Sequence, residues 1–284
     1  MIILKGAEVS AKIRDQVHEL LKELDGKIPR LAIVRVGEKP DDLSYERGAI
    51  KKITAFGMEA RSYAFPEDVD NEEFQKEFRK INEDPEVSGI LLLKPLPDRI
   101  CQEDLDRIID PSKDLDGISP VNIAKVFAGD GSGFAPCTAE AVVETLKAYE
   151  IPIAGKRAVI VGRSMVVGKP LAMLLMKEHA TVTVCHTRTV DLPGTCRNGE
   201  ILVAAAGRAK MIGRDHTGPG AVVIDVGINV GEDGKLCGDV DLEAIEDIGS
   251  MATPVPGGVG AVTTAVLARH LALAAVRTKT GSGR

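Results

Sequence analysis

The chain has 284 residues, 44% of them hydrophobic, enough for one large or two ordinary domains with buried cores. A formal net charge of −6 with no long Lys/Arg run, and an aromatic content of 3% with no tryptophan, exclude a nucleic-acid surface and base-stacking platforms. No run of about eighteen apolar residues is present, so no membrane span is expected; Met1 to Lys5 carries no leader pattern, and five cysteines without a C-x-x-C pair read as reduced thiols of a cytoplasmic protein.

In chain order, Ala7 to Leu24 has helical periodicity and Arg30 to Val36 (RLAIVRV) reads as a strand. Leu43 to Phe56 is a second helix and Ala60 to Ala64 a short strand. Asn71 to Asn82 is a third helix, with Asp70 as its N-cap. Ser88 to Leu93 is a buried strand that stops at Pro95. Helix and strand alternating over short connections predict an α/β fold with a parallel sheet. Lys94 to Pro136 reads as loop-rich. Thr138 to Tyr149 is a helix opened by a threonine cap, which puts a domain boundary near Pro136. A strand from Ala158 to Val161, a helix from Leu171 to Lys177 and strands at Val182 to Cys185, Ile201 to Ala205 and Ala221 to Val226 follow, with Lys210 to Pro219 as a short crossover. Gly260 to Val276 reads as a long closing helix that leaves the second domain and returns to the first. Lys279 to Arg284 is polar and expected to fray. The expected domains are 1–136, completed by a C-terminal helix at about 262–278, and 137–261, with strand-end loops lining a cleft between them.

The most informative stretch is Val159 to Pro170, a strand ending in a glycine turn that opens a helix. Free backbone N–H groups and the helix dipole make such a junction an anion site. Arg163 and Ser164 add a fixed charge and a hydroxyl. Only Gly162 and Gly168 are glycines, so the spacing departs from G-x-G-x-x-G, and strand–turn–helix junctions also occur with no ligand. The next strand is followed by His186-Thr187-Arg188-Thr189, where an NAD-specific site would place an acid. Arg163 and Arg188 therefore favour NADP, whose ribose carries the extra phosphate.

Four further loops follow strands or open helices: KPLP at Lys94, PSKDLDG ending in Asp116 and Gly117, Pro136-Cys137-Thr138, and Thr253 to Gly260 (TPVPGGVG). Each is also an ordinary turn composition. Asp116 is a candidate to accept paired N–H bonds from a pterin or purine, against the plainer reading of a turn-capping carboxylate. Tyr45 is a candidate to stack on a flat ligand, against half-buried core.

Together GRSMVVGKP, DLDG after PSK, PCT, VIDVGIN, GDVD and TPVPGGVG, in order from about Val34 to Thr264, resemble the bifunctional methylenetetrahydrofolate dehydrogenase/methenyltetrahydrofolate cyclohydrolase family. The resemblance implies an N-terminal folate domain, a Rossmann-like NADP-binding domain, tetrahydrofolate substrates and a homodimer. It also implies two successive reactions of one-carbon metabolism: hydride transfer from methylenetetrahydrofolate to NADP⁺, then hydrolytic opening of the methenyl ring. Carried over by position, Tyr45 would stack on the folate and Asp116 would bond the pterin. Gly162, Arg163, Ser164 and Gly168 would form the cofactor turn, with Thr187 and Arg188 near the ribose phosphate and Ile228 of VIDVGIN beside the cofactor. Pro256, Gly257 and Gly258 would wall the substrate site.

The chain departs from the family pattern at its acid–base pair. The lysine expected four residues after Tyr45 is Ala49, and the glutamine expected before P-L-P is Leu93. Lys51 lies roughly 120° around the helix from Tyr45; Lys52 returns to the tyrosine face roughly 10 Å further on; Arg47 cannot act as a base near neutral pH. Lys94 would face away on a continuing strand. Lys51 and Lys94 remain the catalytic candidates beside Tyr45 and Asp116, and the expectation is a dehydrogenase whose cyclohydrolase step is weak or uses another group. Asp42 for the usual serine and Ala261-Val262 for Pro-Met are smaller departures. The competing readings are an NADP-dependent dehydrogenase of another small substrate and a catalytically silent folate-binding protein.

Overall fold

A computed structural model describes residues 1–231 and 234–281. In chain order the elements are β1 (Ile2–Ile3), α1 (Gly6–Lys22), β2 (Arg30–Val36), α2 (Pro40–Ala55), β3 (Glu59–Phe65), α3 (Asn71–Glu83), β4 (Gly89–Leu92), α4 (Gln102–Ile108) and α5 (Pro120–Ala128). They continue with α6 (Cys137–Ala148), β5 (Arg157–Val161), α7 (Gly168–Lys177), β6 (Thr181–Cys185), α8 (Leu192–Arg197), β7 (Ile201–Ala204), β8 (Val222–Asp225), β9 (Asn229–Val230), β10 (Leu236–Cys237), α9 (Leu242–Ile245), β11 (Met251–Ala252) and α10 (Val259–Thr280).

The chain divides into two compact units. One comprises Ile13–Cys137 and the residues from Thr264 on. Its sheet is parallel, in the order β3-β2-β4. Ala32, Val34 and Val36 on one face of β2 pack with Phe74, Phe78 and Ile81 of α3 and Leu105 of α4. The α3 residues recur at helical spacing, and the Asp70 carboxylate accepts the Glu72 N–H at 2.8 Å, so the expected cap is present. The opposite face of β2 is left to α2, whose buried residues are Glu46, Ala49 and Ile53. The later turns of α10 pack Ala275 and Val276 against Leu24.

The other unit comprises Met1–Lys12 and Thr138–Thr263. Its parallel sheet runs β1-β11-β8-β7-β5-β6. Val159, Val161, Leu202, Ala204 and Val223 form one packed face. The short hairpin β9–β10 is antiparallel. Met1–Lys12, expected with the N-terminal domain, belongs here because Ile2 and Ile3 pair with Met251 and Ala252.

Four local readings change. The stretch from Lys94 to Pro136 holds two helices, and α5 carries plain start signals: the Ser119 hydroxyl accepts the Asn122 N–H and Pro120 occupies the first turn. The helix α6 is opened by Asp116, which takes the Cys137 N–H at 2.8 Å, rather than by Thr138. Lys279 and Thr280 continue α10 instead of fraying, with the Lys279 ammonium on the Glu23 carbonyl at 2.6 Å; residues 282–284 lie outside the described residues. Finally, α10 is long and apolar enough by composition to cross a membrane, yet 78% of its most apolar stretch is buried within the protein, as in a core helix.

Candidate active site

In the first unit the candidate residues sit on α2 and on the turn before α5. Pro40 in the first turn and Asp41 and Asp42 facing the helix dipole start α2 without a side-chain cap. One turn later Tyr45 is half-buried. Burial, reinforced by the nearby Asp116 carboxylate and Cys137, pushes its phenol well above the usual range, so it is neutral at any physiological pH.

Asp116 is held by a turn that Asp114 builds. The buried Asp114 carboxylate accepts the Ile118 and Ser119 N–H groups at 3.0 and 2.8 Å and the Asn122 amide at 2.9 Å. Gly117 has φ +62°, and a Cβ there would run into the Phe134 carbonyl, so the turn requires glycine. One Asp116 oxygen accepts the Cys137 N–H. Burial raises the Asp116 pKa; the Cys137 N–H opposes the rise, Asp114 adds to it and His270 lowers it. The Leu115 carbonyl accepts from His270 Nδ1 at 2.8 Å and from the Cys137 thiol at 3.3 Å, which fixes Nδ1 as the protonated nitrogen. Asp114, Cys137 and His270 escape sequence reasoning in this role. The first two lie in loops it singles out for other reasons, and the last is a lone histidine on an apolar helix.

The two lysine candidates are differently placed. Lys51 is exposed on α2. Lys94 follows β4, and its ammonium is committed to the Asp106 carboxylate at 2.7 Å. Ala49 and Leu93 are both buried, the former completely. Lys52 lies 5.6 Å from the Phe56 ring centre, and burial lowers its pKa.

In the second unit the glycine turn has the shape of an anion cradle. Gly162 ends β5 with φ +137°, and a Cβ there would strike the Ala205 carbonyl. A Cβ at Gly168 would strike the Gly162 carbonyl, so both positions admit only glycine as the backbone folds back on itself. The Ser164 hydroxyl accepts the Val167 N–H at 3.1 Å and shapes the turn before α7. After β6 the His186 N–H is taken by the Thr189 hydroxyl and the Arg188 N–H by His186 Nδ1. This leaves Thr187 and Arg188 exposed at the tip of a closed turn, and Arg163 is exposed beside its glycine. A glycine cradle with two accessible guanidinium groups, and no acid directly after β6, fits a phosphorylated dinucleotide such as NADP.

Two buried carboxylates brace the neighbouring strand-end loops. Asp239 accepts the Ala206, Gly207 and Arg208 N–H groups at 2.6–2.9 Å and the Asn229 amide at 2.9 Å. Asp225 accepts the Gly227, Asp239 and Val240 N–H groups. Burial outweighs those three bonds and pushes the Asp225 pKa up to about 6. Ile228, on the loop these carboxylates shape, is 66% exposed. Of the Pro254 to Gly260 loop, Pro256 and Gly257 are exposed and Gly258 is buried, with the Gly257 carbonyl accepting the Gly6 N–H at 2.8 Å. The Ala261 carbonyl accepts the Ser10 hydroxyl at 2.8 Å.

Comparison with known proteins adds to this geometry. Residues 4–116 match the sequence profile of the tetrahydrofolate dehydrogenase/cyclohydrolase catalytic domain, and residues 136–279 that of its NAD(P)-binding domain. The bifunctional protein FolD of Clostridioides difficile is 50% identical over 274 residues, spanning 95% of this chain and 94% of that protein. The crystal structure of bifunctional FolD, methylenetetrahydrofolate dehydrogenase/cyclohydrolase, from Campylobacter jejuni superposes with a TM-score of 0.93 at 39% identity, over 97% of this chain and 98% of that one. The Trypanosoma brucei N5,N10-methylenetetrahydrofolate dehydrogenase-cyclohydrolase, solved with NADP cofactor and an inhibitor, superposes with a TM-score of 0.90 at 31% identity, over 99% and 98%.

Proposed function

This chain belongs to the tetrahydrofolate dehydrogenase/cyclohydrolase family, and we propose that it oxidises 5,10-methylenetetrahydrofolate to the methenyl form with NADP⁺ and performs the second, ring-opening step only weakly. The observation that carries this reading is a split in the residues. The groups suited to holding folate and cofactor are present, whereas Ala49 and Leu93 stand where the resemblance expects the acid–base lysine and its glutamine.

The two steps ask for different things. Hydride transfer requires two aligned carbons and surroundings that tolerate a developing cation, but no proton relay. NADP⁺, when bound, supplies the hydride acceptor. In this chain Gly162, Ser164 and Gly168 would cradle its phosphates, Arg163, Thr187 and Arg188 the ribose phosphate, and Ile228 would cover an apolar part. On the folate side Tyr45 would stack through a neutral ring, Asp116 would accept pterin N–H groups, and Pro256, Gly257 and Gly258 would wall the substrate.

Ring opening is a proton-transfer problem. Water adds its oxygen to the methenyl carbon and gives up a proton; one ring C–N bond breaks as its nitrogen takes a proton. A positioned acid/base is worth about 10²–10⁴-fold in such a step. The exposure of Lys51 and the engagement of Lys94 with Asp106 both weigh against either serving as that group. A homodimer acting in the cytoplasm, without nucleic-acid or membrane partners, completes the proposal; light scattering on the purified protein tests the dimer.

The deciding experiment mixes purified protein, methylenetetrahydrofolate and NADP⁺ and follows NADPH and the methenyl chromophore together. NADPH formation with methenyl persisting to its spontaneous decay is the expected result. Enzymatic loss of methenyl as fast as NADPH appears would refute the weak second step. Absence of NADPH with either NADP⁺ or NAD⁺ would refute the dehydrogenase reading.

A further inference from the structure

Arg35 and Glu46 form a shielded ion pair between β2 and α2. The guanidinium Nε donates to the Glu46 carboxylate at 2.7 Å and a second nitrogen donates to the Gly37 carbonyl at 2.5 Å; the side chains are only 12% and 8% exposed. Charged residues of this kind in an α/β core require a reason, because burying the pair costs desolvation that hydrophobic residues would avoid.

Its location supplies one. In the parallel register Ile33 pairs with Leu91 and Val34 with Leu92, and the Leu93 N–H bonds the Val34 carbonyl. Leu93 therefore shares the sheet face of Arg35, opposite the face that Ala32, Val34 and Val36 give to the core. On α2, Glu46 and Ala49 are three residues apart and both buried. The ion pair thus lies on the face that carries both substituted positions, Ala49 from the helix and Leu93 from the strand.

We propose that the Arg35–Glu46 pair is a specificity-determining device that keeps the reaction from passing on to ring opening, by filling the space and polarity an acid–base lysine would use with an ion pair whose two groups are already committed to each other and to the Gly37 carbonyl. The inference rests on the dehydrogenase reading above. A guanidinium stays charged and cannot serve as a base. Ala49 is fully enclosed, so the volume beyond its methyl group is already taken. A long helical side chain at position 49 would point back over the preceding turn, toward Glu46. There the carboxylate would capture its ammonium and the Arg35 charge would repel it.

The test therefore separates adding the lysine from removing the pair. Ring opening is assayed on methenyltetrahydrofolate added directly, without NADP⁺, so that failure of the dehydrogenase reading is seen separately in NADPH formation. The double variant Ala49→Lys/Leu93→Gln is expected to raise ring opening less than about 3-fold. Adding Arg35→Leu and Glu46→Leu is expected to raise it at least about 10²-fold, the lower end for a positioned acid/base, with dehydrogenase turnover retained. If the fourfold variant does not fold, Ala49→Lys/Leu93→Gln with Arg35→Gln and Glu46→Gln removes both charges at similar volume and is expected to gain at least about 10-fold, below the roughly 10²-fold of a fully positioned acid/base. A full gain from the double variant alone, or no gain in a folded variant lacking Arg35, overturns the proposal. The ratio of ring opening to dehydrogenation is the readout, since a pair that merely held α2 in place would move both together.

Discussion

Asp239→Asn is the sharpest probe of how the strand-end loops around Ile228, proposed above to border the cofactor, are held. The side chain is fully buried and two of its donors sit on each oxygen: Ala206 and Gly207 on one, Arg208 and Asn229 on the other. Asparagine keeps one acceptor oxygen and puts an NH₂ group in place of the other. If Asn229 turns its own amide to accept from that group, one backbone N–H loses its partner; otherwise two donors do. Each buried orphan costs about 1–3 kcal/mol, so the expected loss is roughly 1–6 kcal/mol for one or two orphans, a large share of the roughly 5–15 kcal/mol that holds a domain folded. Urea unfolding followed by circular dichroism reads the stability. The KM for NADP⁺ should rise at least about 10-fold, because the loops at 206–208 and 227–229 lose their common anchor, while the folate KM stays within about 3-fold. A loss below about 1 kcal/mol would show that the loops do not depend on this carboxylate. A stability loss with an unchanged NADP⁺ KM would separate the brace from cofactor binding.

Asp225 gives a pH signature. Its native pKa of about 6 lies above the unfolded value, so its contribution to stability is complete below about pH 4 and is lost as pH rises through 6. The span is worth about 3 kcal/mol, and Asp225→Asn should remove it, so the difference in urea midpoint between wild type and variant should change in that direction from pH 4.5 to 7; a constant difference would refute the raised pKa. Gly162→Ala forces a side chain into φ +137° and against the Ala205 carbonyl, so it should cost at least roughly 1–3 kcal/mol and abolish NADP⁺ binding as read by titration; near-normal affinity would remove the glycine turn from the cofactor site. Arg188→Ala should lower the NADP⁺/NAD⁺ ratio of kcat/KM by roughly 10- to 100-fold, since a charge-assisted phosphate contact contributes about 1.5–3 kcal/mol, and an unchanged ratio would assign phosphate recognition elsewhere.

The elements that sequence periodicity reveals are those long enough to show a period. The strand RLAIVRV is observed over the span expected, and the third helix ends within a residue of its expected limit. The two-residue strands β1, β9, β10 and β11 are too short to show a period; β1 and β11 also depend on partners far along the chain, whereas β9 and β10 pair only with each other. The helices α4 and α5 were hidden by the density of Asp, Pro and Gly around them, although the Ser-Pro start of α5 was there to be read. Within the candidate site, the glycine turn was legible from residue type and spacing, whereas the meaning of Tyr45 and Asp116 came from the family resemblance. The braces were not legible at all. Asp239 reaches backbone groups about thirty residues away, His270 reaches Leu115 from a distant helix, and Arg35 inside an apolar strand gives no sign that Glu46 on the next helix will meet it.

The way the chain is divided has a consequence for how it is made. Each unit consists of two separated segments: one joins Met1–Lys12 to Thr138–Thr263, and the other joins Ile13–Cys137 to the residues from Thr264 on, most of α10. A ribosome releases the N-terminus first, so β1 waits without its neighbour until Met251 and Ala252 have emerged, and the sheet of β2, β3 and β4 is complete long before the helix that packs Ala275 and Val276 against Leu24. Contacts so distant in sequence close slowly, because the intervening chain must be ordered first. One unit lacks its last strand until Met251 and Ala252 have emerged and the other lacks its closing helix until the end of synthesis, so a nascent chain arrested near residue 250 should be captured by chaperones or degraded as a whole and not released as one finished half.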